Sequence, residues 1–151
     1  MRGGFINVSY RTTRAHLTRA LLEGIAYNSR WLMGAAEKFT GRRFPHLRLA
    51  GGGAQSDTWA QIMADVLNVP IHQQADPRNG NVLGAAFLAF LRLGRVQLED
   101  IPSMVHIANV FEPHPENRTV YDQLFTQFMA CQRSLKPVFH ALNRAGEALS
   151  T

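Results

Sequence analysis

Three successive glycines, Gly51-Gly52-Gly53, lead through Ala54-Gln55-Ser56 to Asp57. They separate a short run in which Leu47 and Leu49 alternate with His46 and Arg48 from a helical stripe of Trp59, Ile62, Met63, Val66 and Leu67. A strand that turns through glycines into a helix is the repeating unit of parallel α/β sheets. The spacing predicts a strand over residues 47–50 and a helix over 57–67, capped by Ser56 or Asp57 and stopped at Asn68-Val69-Pro70.

The flanks repeat the alternation. Gly3-Gly4 opens an extended stretch, Phe5-Ile6-Asn7-Val8-Ser9. Thr12-Thr13 then precedes a long helix in which Leu17, Leu21, Ile25, Trp31, Leu32 and Ala35 share one face until Gly41 ends it. Pro70 to Gln74 reads as a third strand, and residues 76–81 as a turn. Val82 to Leu91 is apolar nearly all round, which predicts a buried helix whose Gly80/Gly84 spacing allows close packing. Residues 94–118, with Pro102, Pro113 and Pro115, read as a surface connection. A last helix from Asn117 or Thr119 is expected to kink or divide at Pro137. Three strand-then-helix units predict an α/β domain, a parallel sheet flanked by helices. Open strand edges in such a sheet call for neighbours from upstream residues or from a second subunit, for instance in a homodimer.

A chain of 151 residues, 46% hydrophobic and 18% charged, suits one domain with a sizeable core. No run approaches the roughly 20 apolar residues that cross a bilayer, so no membrane association is expected. The N-terminus lacks the apolar segment of a secretory signal, and the sole cysteine, Cys131, fits a reducing cytoplasm and reads as packing. Lys+Arg 16 against Asp+Glu 11 gives 16 − 11 = +5, which suits a phosphorylated ligand. The arginines are dispersed over elements of different type, so nucleic acid is disfavoured. The histidines form no His-x-x-x-His or His-Glu pair, and no metal centre is expected. Trp31, Trp59, Phe87 and Phe90 read as core.

The glycine run is where chemistry is expected. Glycines let a ligand approach the backbone, and free N–H groups at a helix start attract phosphate or a polar ring edge. A tight turn serving only backbone geometry is the competing reading. The run is neither a P-loop nor Gly-x-Gly-x-x-Gly, since no Gly-Lys-Ser/Thr follows and Ser56 stands at the last glycine position.

Leu49 to Asp65, with the segments Arg14 to Asn28 and Gly80 to Ala89 around it, closely resembles the C-terminal domain of the FGGY carbohydrate kinases, particularly xylulokinase-like members. The resemblance runs through about residue 95 as the core of that domain and continues more loosely over 96–151. It implies an actin-like, ribonuclease-H-related ATPase fold. It also implies phosphorylation of a sugar or polyol hydroxyl by ATP with its accompanying Mg2+, a ketopentose such as xylulose being the leading substrate.

Carried onto this chain, the resemblance places Gly52, Gly53 and Ala54 against the adenosine and α-phosphate side of ATP. Gln55 either reaches the base or is a plain surface residue, and Asp57 either accepts from an adenine or ribose group or only caps its helix. The family's Asp-Gly-Thr phosphate segment and catalytic aspartate have no match here, so no catalytic residue is assigned. An N-terminal kinase domain, upstream or on another chain, is the expected partner. The alternative is a non-catalytic actin-like module for nucleotide or subunit binding.

Overall fold

A computed structural model describes the backbone of residues 4–148 and the side chains of residues 4–143. Helix α1, Arg14–Thr40, starts at a reciprocal cap in which Thr13 Oγ1 accepts from the His16 N–H and His16 Nδ1 accepts from the Thr13 N–H. It ends at Gly41, whose φ of 67° is the left-handed turn that closes a helix. The face it buries is not the expected stripe: Leu21, Ile25, Trp31 and Leu32 are exposed. Ala26 and Tyr27 are buried instead, with Leu22 and Met33 packed beside them. Two apolar stripes run along this helix, and α2 with the last helix covers only one.

Strand β1, Leu47–Leu49, leads through the glycine turn into α2, Asp57–Leu67. The helix is buried from Ile62 through Leu67, and it stops at Asn68, φ 56°, whose N–H returns to the Ala64 carbonyl. Strand β2, Ile71–Gln74, pairs parallel with β1, Leu47 opposite Ile71 and Leu49 opposite Gln73. Ile62, Val66 and Ile71 are the largest fully buried side chains, each stabilising the fold by about 1.5–3 kcal/mol.

The rest of the sheet departs from expectation. Phe5–Ser9 forms no strand; Thr12 N–H bonds the Ser9 carbonyl and Ser9 N–H bonds Thr12 Oγ1, closing a turn. Phe5, Ile6 and Val8 are exposed, with no partner strand among the described residues. The third strand comes from the segment read as a connection: β3, Ile107–Phe111, runs antiparallel to β2, giving the order β1-β2-β3 and a mixed sheet. An antiparallel edge strand needs only short-range alternation, which the surrounding prolines concealed.

Helix α3, Gly80–Arg92, is not buried. Val82 is 67% and Leu88 70% exposed, and no described element covers them. The close approach occurs at Gly80 alone, where a Cβ would lie 3.1 Å from Ala50 Cβ; at Gly84 it would meet nothing within 4 Å. Trp31 and Phe90 are likewise exposed rather than core, and Phe87 is half-buried, whereas Trp59 does pack on the core. A short helix, α4, Ile101–Met104, precedes β3. The last helix, α5, Arg118–Ala148, continues through Pro137 undivided, although that residue has no N–H for the Arg133 carbonyl.

Polar seams fix the helices. Arg30 and Arg118 both hold Asp122, and Tyr121 links Arg19 to Glu23. Asp65, only 5% exposed, accepts from the His114 N–H, Gln61 Nε2 and Asn117 Nδ2, with His114 Nδ1 at 3.1 Å. It pins α2 to the chain segment that starts α5.

On the other sheet face His46 and His72 stack, ring centroids 4.1 Å apart and planes at 5°. Burial, then the charges of His46 and Arg48, lower the His72 pKa below the ordinary histidine value, against Glu112. The unfolded chain therefore takes up this proton more readily, and its contribution to stability is lost as pH falls below about 6.5. In a proton NMR titration His72 is expected to have a midpoint below that of an ordinary histidine, and His46→Ala to raise it. An unmoved midpoint in that variant would show that the stacked partner has no influence.

Candidate functional site: the glycine turn

The turn between β1 and α2 is built from conformations that the sequence supplies residue by residue. Gly51 has φ 89° and ψ −179°, a combination open essentially to glycine alone. Its N–H bonds the Pro77 carbonyl at 2.6 Å, tying the turn to the loop that starts α3. Residues 52–55 wind into one tight helical turn, with Ala54 N–H on the Gly51 carbonyl and Ser56 N–H on the Gly53 carbonyl. The N–H groups of Gly52 and Gly53, at the open start of this turn, have no acceptor among the described residues.

The sequence-derived site residues divide into supports and open surface. Gly52 is open: a Cβ there would meet nothing within 4 Å. Gly53 is a support, because a Cβ would lie 3.2 Å from Trp59 Nε1. Ala54 is fully buried and its carbonyl accepts from Gln73. Gln55 is exposed and folds back, its Nε2 donating to the Gly52 carbonyl. Ser56, not Asp57, caps α2, through Oγ accepting the Trp59 N–H at 3.2 Å. Asp57 begins the helix, and its Oδ1 accepts from Gln73 Nε2 at 3.0 Å.

Gln73 is the residue sequence reasoning missed. It is 5% exposed, and both of its amide hydrogens point at the turn, to the Ala54 carbonyl at 2.7 Å and to Asp57. Its Oε1 accepts from Asn109 Nδ2 on β3. A buried amide with every partner satisfied is worth more than its separate bonds, because loss of one leaves the others unpaired. The available signal was its place two residues after Ile71, on the inward face of β2.

The turn lies on open surface. A hollow of about 750 Å³ lies elsewhere, between α1, the end of α2 and α5. A backbone shelf with free N–H groups, an unobstructed glycine and one adjacent carboxylate can form one wall of a ligand cleft.

Comparison with known proteins bears on what that wall belongs to. Residues 1–93 match the model for the FGGY family of carbohydrate kinases, C-terminal domain. The chain belongs to that family, and its architecture is that of the family's actin-like ATPase fold. A xylulose kinase of Staphylococcus epidermidis is 33% identical over 141 residues, 90% of this chain and 27% of that protein. A glycerol kinase of Dechloromonas aromatica is 38% identical over 113 residues, 74% of this chain and 22% of that protein. Among solved structures, xylulose kinase from Rhodospirillum rubrum superposes with a TM-score of 0.78 at 35% identity, covering 93% of this chain and 28% of that one. The chain spans about a quarter of the length of the curated relatives it matches. No helix among the described residues is long and apolar enough to cross a membrane.

Proposed function

We propose that this chain is the nucleotide-binding C-terminal lobe of an ATP-dependent carbohydrate kinase in the cytoplasm, with a ketopentose such as xylulose as the sugar. The observation that carries the nucleotide assignment is the pairing of open space at Gly52 with unengaged N–H groups at Gly52 and Gly53. Xylulose is preferred to glycerol because the solved structure that superposes with a TM-score of 0.78 over 93% of this chain is a xylulose kinase.

In this reading Gly52, Gly53 and Ala54 form the shelf for the adenosine and α-phosphate. Gly53 also seats Trp59 beneath it. Asp57 keeps one oxygen for a ribose hydroxyl or the adenine amino group, while Gln73 holds the other. Gln55 lies at the edge, able to swing toward the base. ATP, when bound, supplies the phosphoryl group, and Mg2+ accompanies it. The remainder of the kinase covers the exposed face of α3 and brings the sugar and the groups that act on its hydroxyl.

Gly52→Val tests the shelf more cleanly than Gly53→Val, whose side chain would strike Trp59. Titration calorimetry with ATP and magnesium is expected to show affinity reduced about tenfold or more, equivalent to about 1.4 kcal/mol, with an unaltered circular dichroism spectrum. Undiminished binding by the folded variant would place the nucleotide elsewhere.

A further inference from the structure

The hollow of about 750 Å³ between α1, the end of α2 and α5 is absorbed neither by the fold nor by the nucleotide shelf. Its floor is apolar, formed by Met33, Phe125 and Met129, with Trp31 at 39% exposure on its wall. Its charge is one-sided. Arg30, Lys38, Arg43, Arg118 and Arg133 line it, against Glu37 alone.

Three of these cations are already engaged. Arg30 and Arg118 share Asp122, and Arg43 pairs with Glu37 at 3.3 Å. Arg30 also lies 4.5 Å above the Phe125 ring. Lys38 and Arg133 have no carboxylate within ion-pair distance among the described residues. Lys38 stands in the last turn of α1, where a cation compensates the exposed carbonyls of the helix end. That accounts for Lys38 but not for Arg133, which lies well inside α5. The charge left over, the apolar floor and a volume within the roughly 300–1,000 Å³ of small-molecule sites together define a ligand chemistry.

We infer that this hollow binds a small organic anion, an aromatic or apolar body carrying a phosphate, sulfonate or carboxylate. The body lies on Trp31, Met33, Phe125 and Met129, and the acidic group draws on Lys38 and Arg133. The site is separate from the glycine turn.

The two tryptophans of the chain make the test specific, since Trp31 lines the hollow and Trp59 lies under the glycine turn. In a Trp59→Phe background the only indole is Trp31, and anilinonaphthalene sulfonate serves as the anionic aromatic probe. Saturable quenching of Trp31, with energy transfer to the probe, is expected. Lys38→Glu combined with Arg133→Glu should weaken it about tenfold or more, and an uncharged anilinonaphthalene should bind no better than it does to that variant. Circular dichroism confirms that each variant is folded, as two exposed substitutions should allow. Absence of saturable Trp31 quenching, or an affinity indifferent to the double charge reversal, would overturn the inference. The second result would instead mark probe adhering to apolar surface such as α3.

Discussion

Purified residues 1–151, given ATP, magnesium and xylulose or glycerol, should phosphorylate neither at more than about 10⁻⁴ of the rate of a full-length relative. Phosphoryl transfer needs an in-line hydroxyl, a base for its proton and donors around the developing charge. The aspartates of this chain are already committed. Asp65 is enclosed in its hydrogen bonds, Asp122 holds two arginines, Asp76 takes Asn79, Asp100 accepts from the Gln97 N–H, and Asp57 is held by Gln73. Asp57 and Asp76 are the two near the glycine turn, Asp76 preceding the Pro77 whose carbonyl takes the Gly51 N–H, and each already holds a side-chain amide. Loss of a general base alone costs about 10²- to 10⁴-fold, and loss of the opposing wall adds a failure of orientation that can be larger. A coupled assay of ADP release with sugar-phosphate detection checks this, repeated with the N-terminal part of a full-length relative added. Sugar phosphorylation by the lone chain that disappears in Asp57→Asn would refute the division of labour. Activity only after the addition would separate the kinase reading from a non-catalytic module.

Replacing Asp65 should have the largest effect on stability. Asp65→Ala removes an almost fully buried carboxylate and leaves the His114 N–H and Asn117 Nδ2 without their acceptor, while Gln61 keeps the Glu112 carbonyl, at a cost of about 3–5 kcal/mol. That is a large share of the roughly 5–15 kcal/mol that holds a domain together, and corresponds to about 10 °C or more in Tm. The pH dependence has a defined sign. Burial raises the Asp65 pKa, but the hydrogen bonds from His114, Gln61 and Asn117 and the charge of His114 outweigh it, leaving the value below that of an ordinary aspartate. The stabilisation is therefore complete above the unfolded value near 3.9 and is lost as pH falls through the lower folded value. Urea unfolding at pH 7 and pH 3 should show Asp65→Ala converging toward wild type at the lower pH. A change below about 0.5 kcal/mol at pH 7 would mean that the loop beside α2 finds other partners.

The parts legible in the sequence were those fixed by local chemistry. Thr13 and Gly41 mark both ends of α1, and the glycines with Ser56 set where β1 stops and α2 starts, because caps and positive φ depend on a few adjacent residues. What failed depended on partners. Phe5–Ser9 alternates like a strand but pairs with nothing among the described residues, whereas Ile107–Phe111 is a strand because β2 offers it an edge. The apolar composition of α3 predicts burial, yet hydrophobicity reports that a surface needs covering and says nothing of where the cover comes from. At the candidate site, the glycines could be named from sequence, while the role of Gln73 rests on which way β2 faces and on its register with β3.

That glutamine gives the site a polarity. Hydrogen bonds run in one sense from Asn109 on β3, through Gln73, to Asp57 at the head of α2, each group donating to the next. Turning the Gln73 amide over would set like against like at both ends, so the sequence of donors cannot be reversed locally. The chain of bonds ends on a carboxylate with one oxygen spoken for and nothing left to give. A group that docked against Asp57 would have to arrive as the donor, so the strand pairing of a small sheet would set the sense of any recognition at its rim.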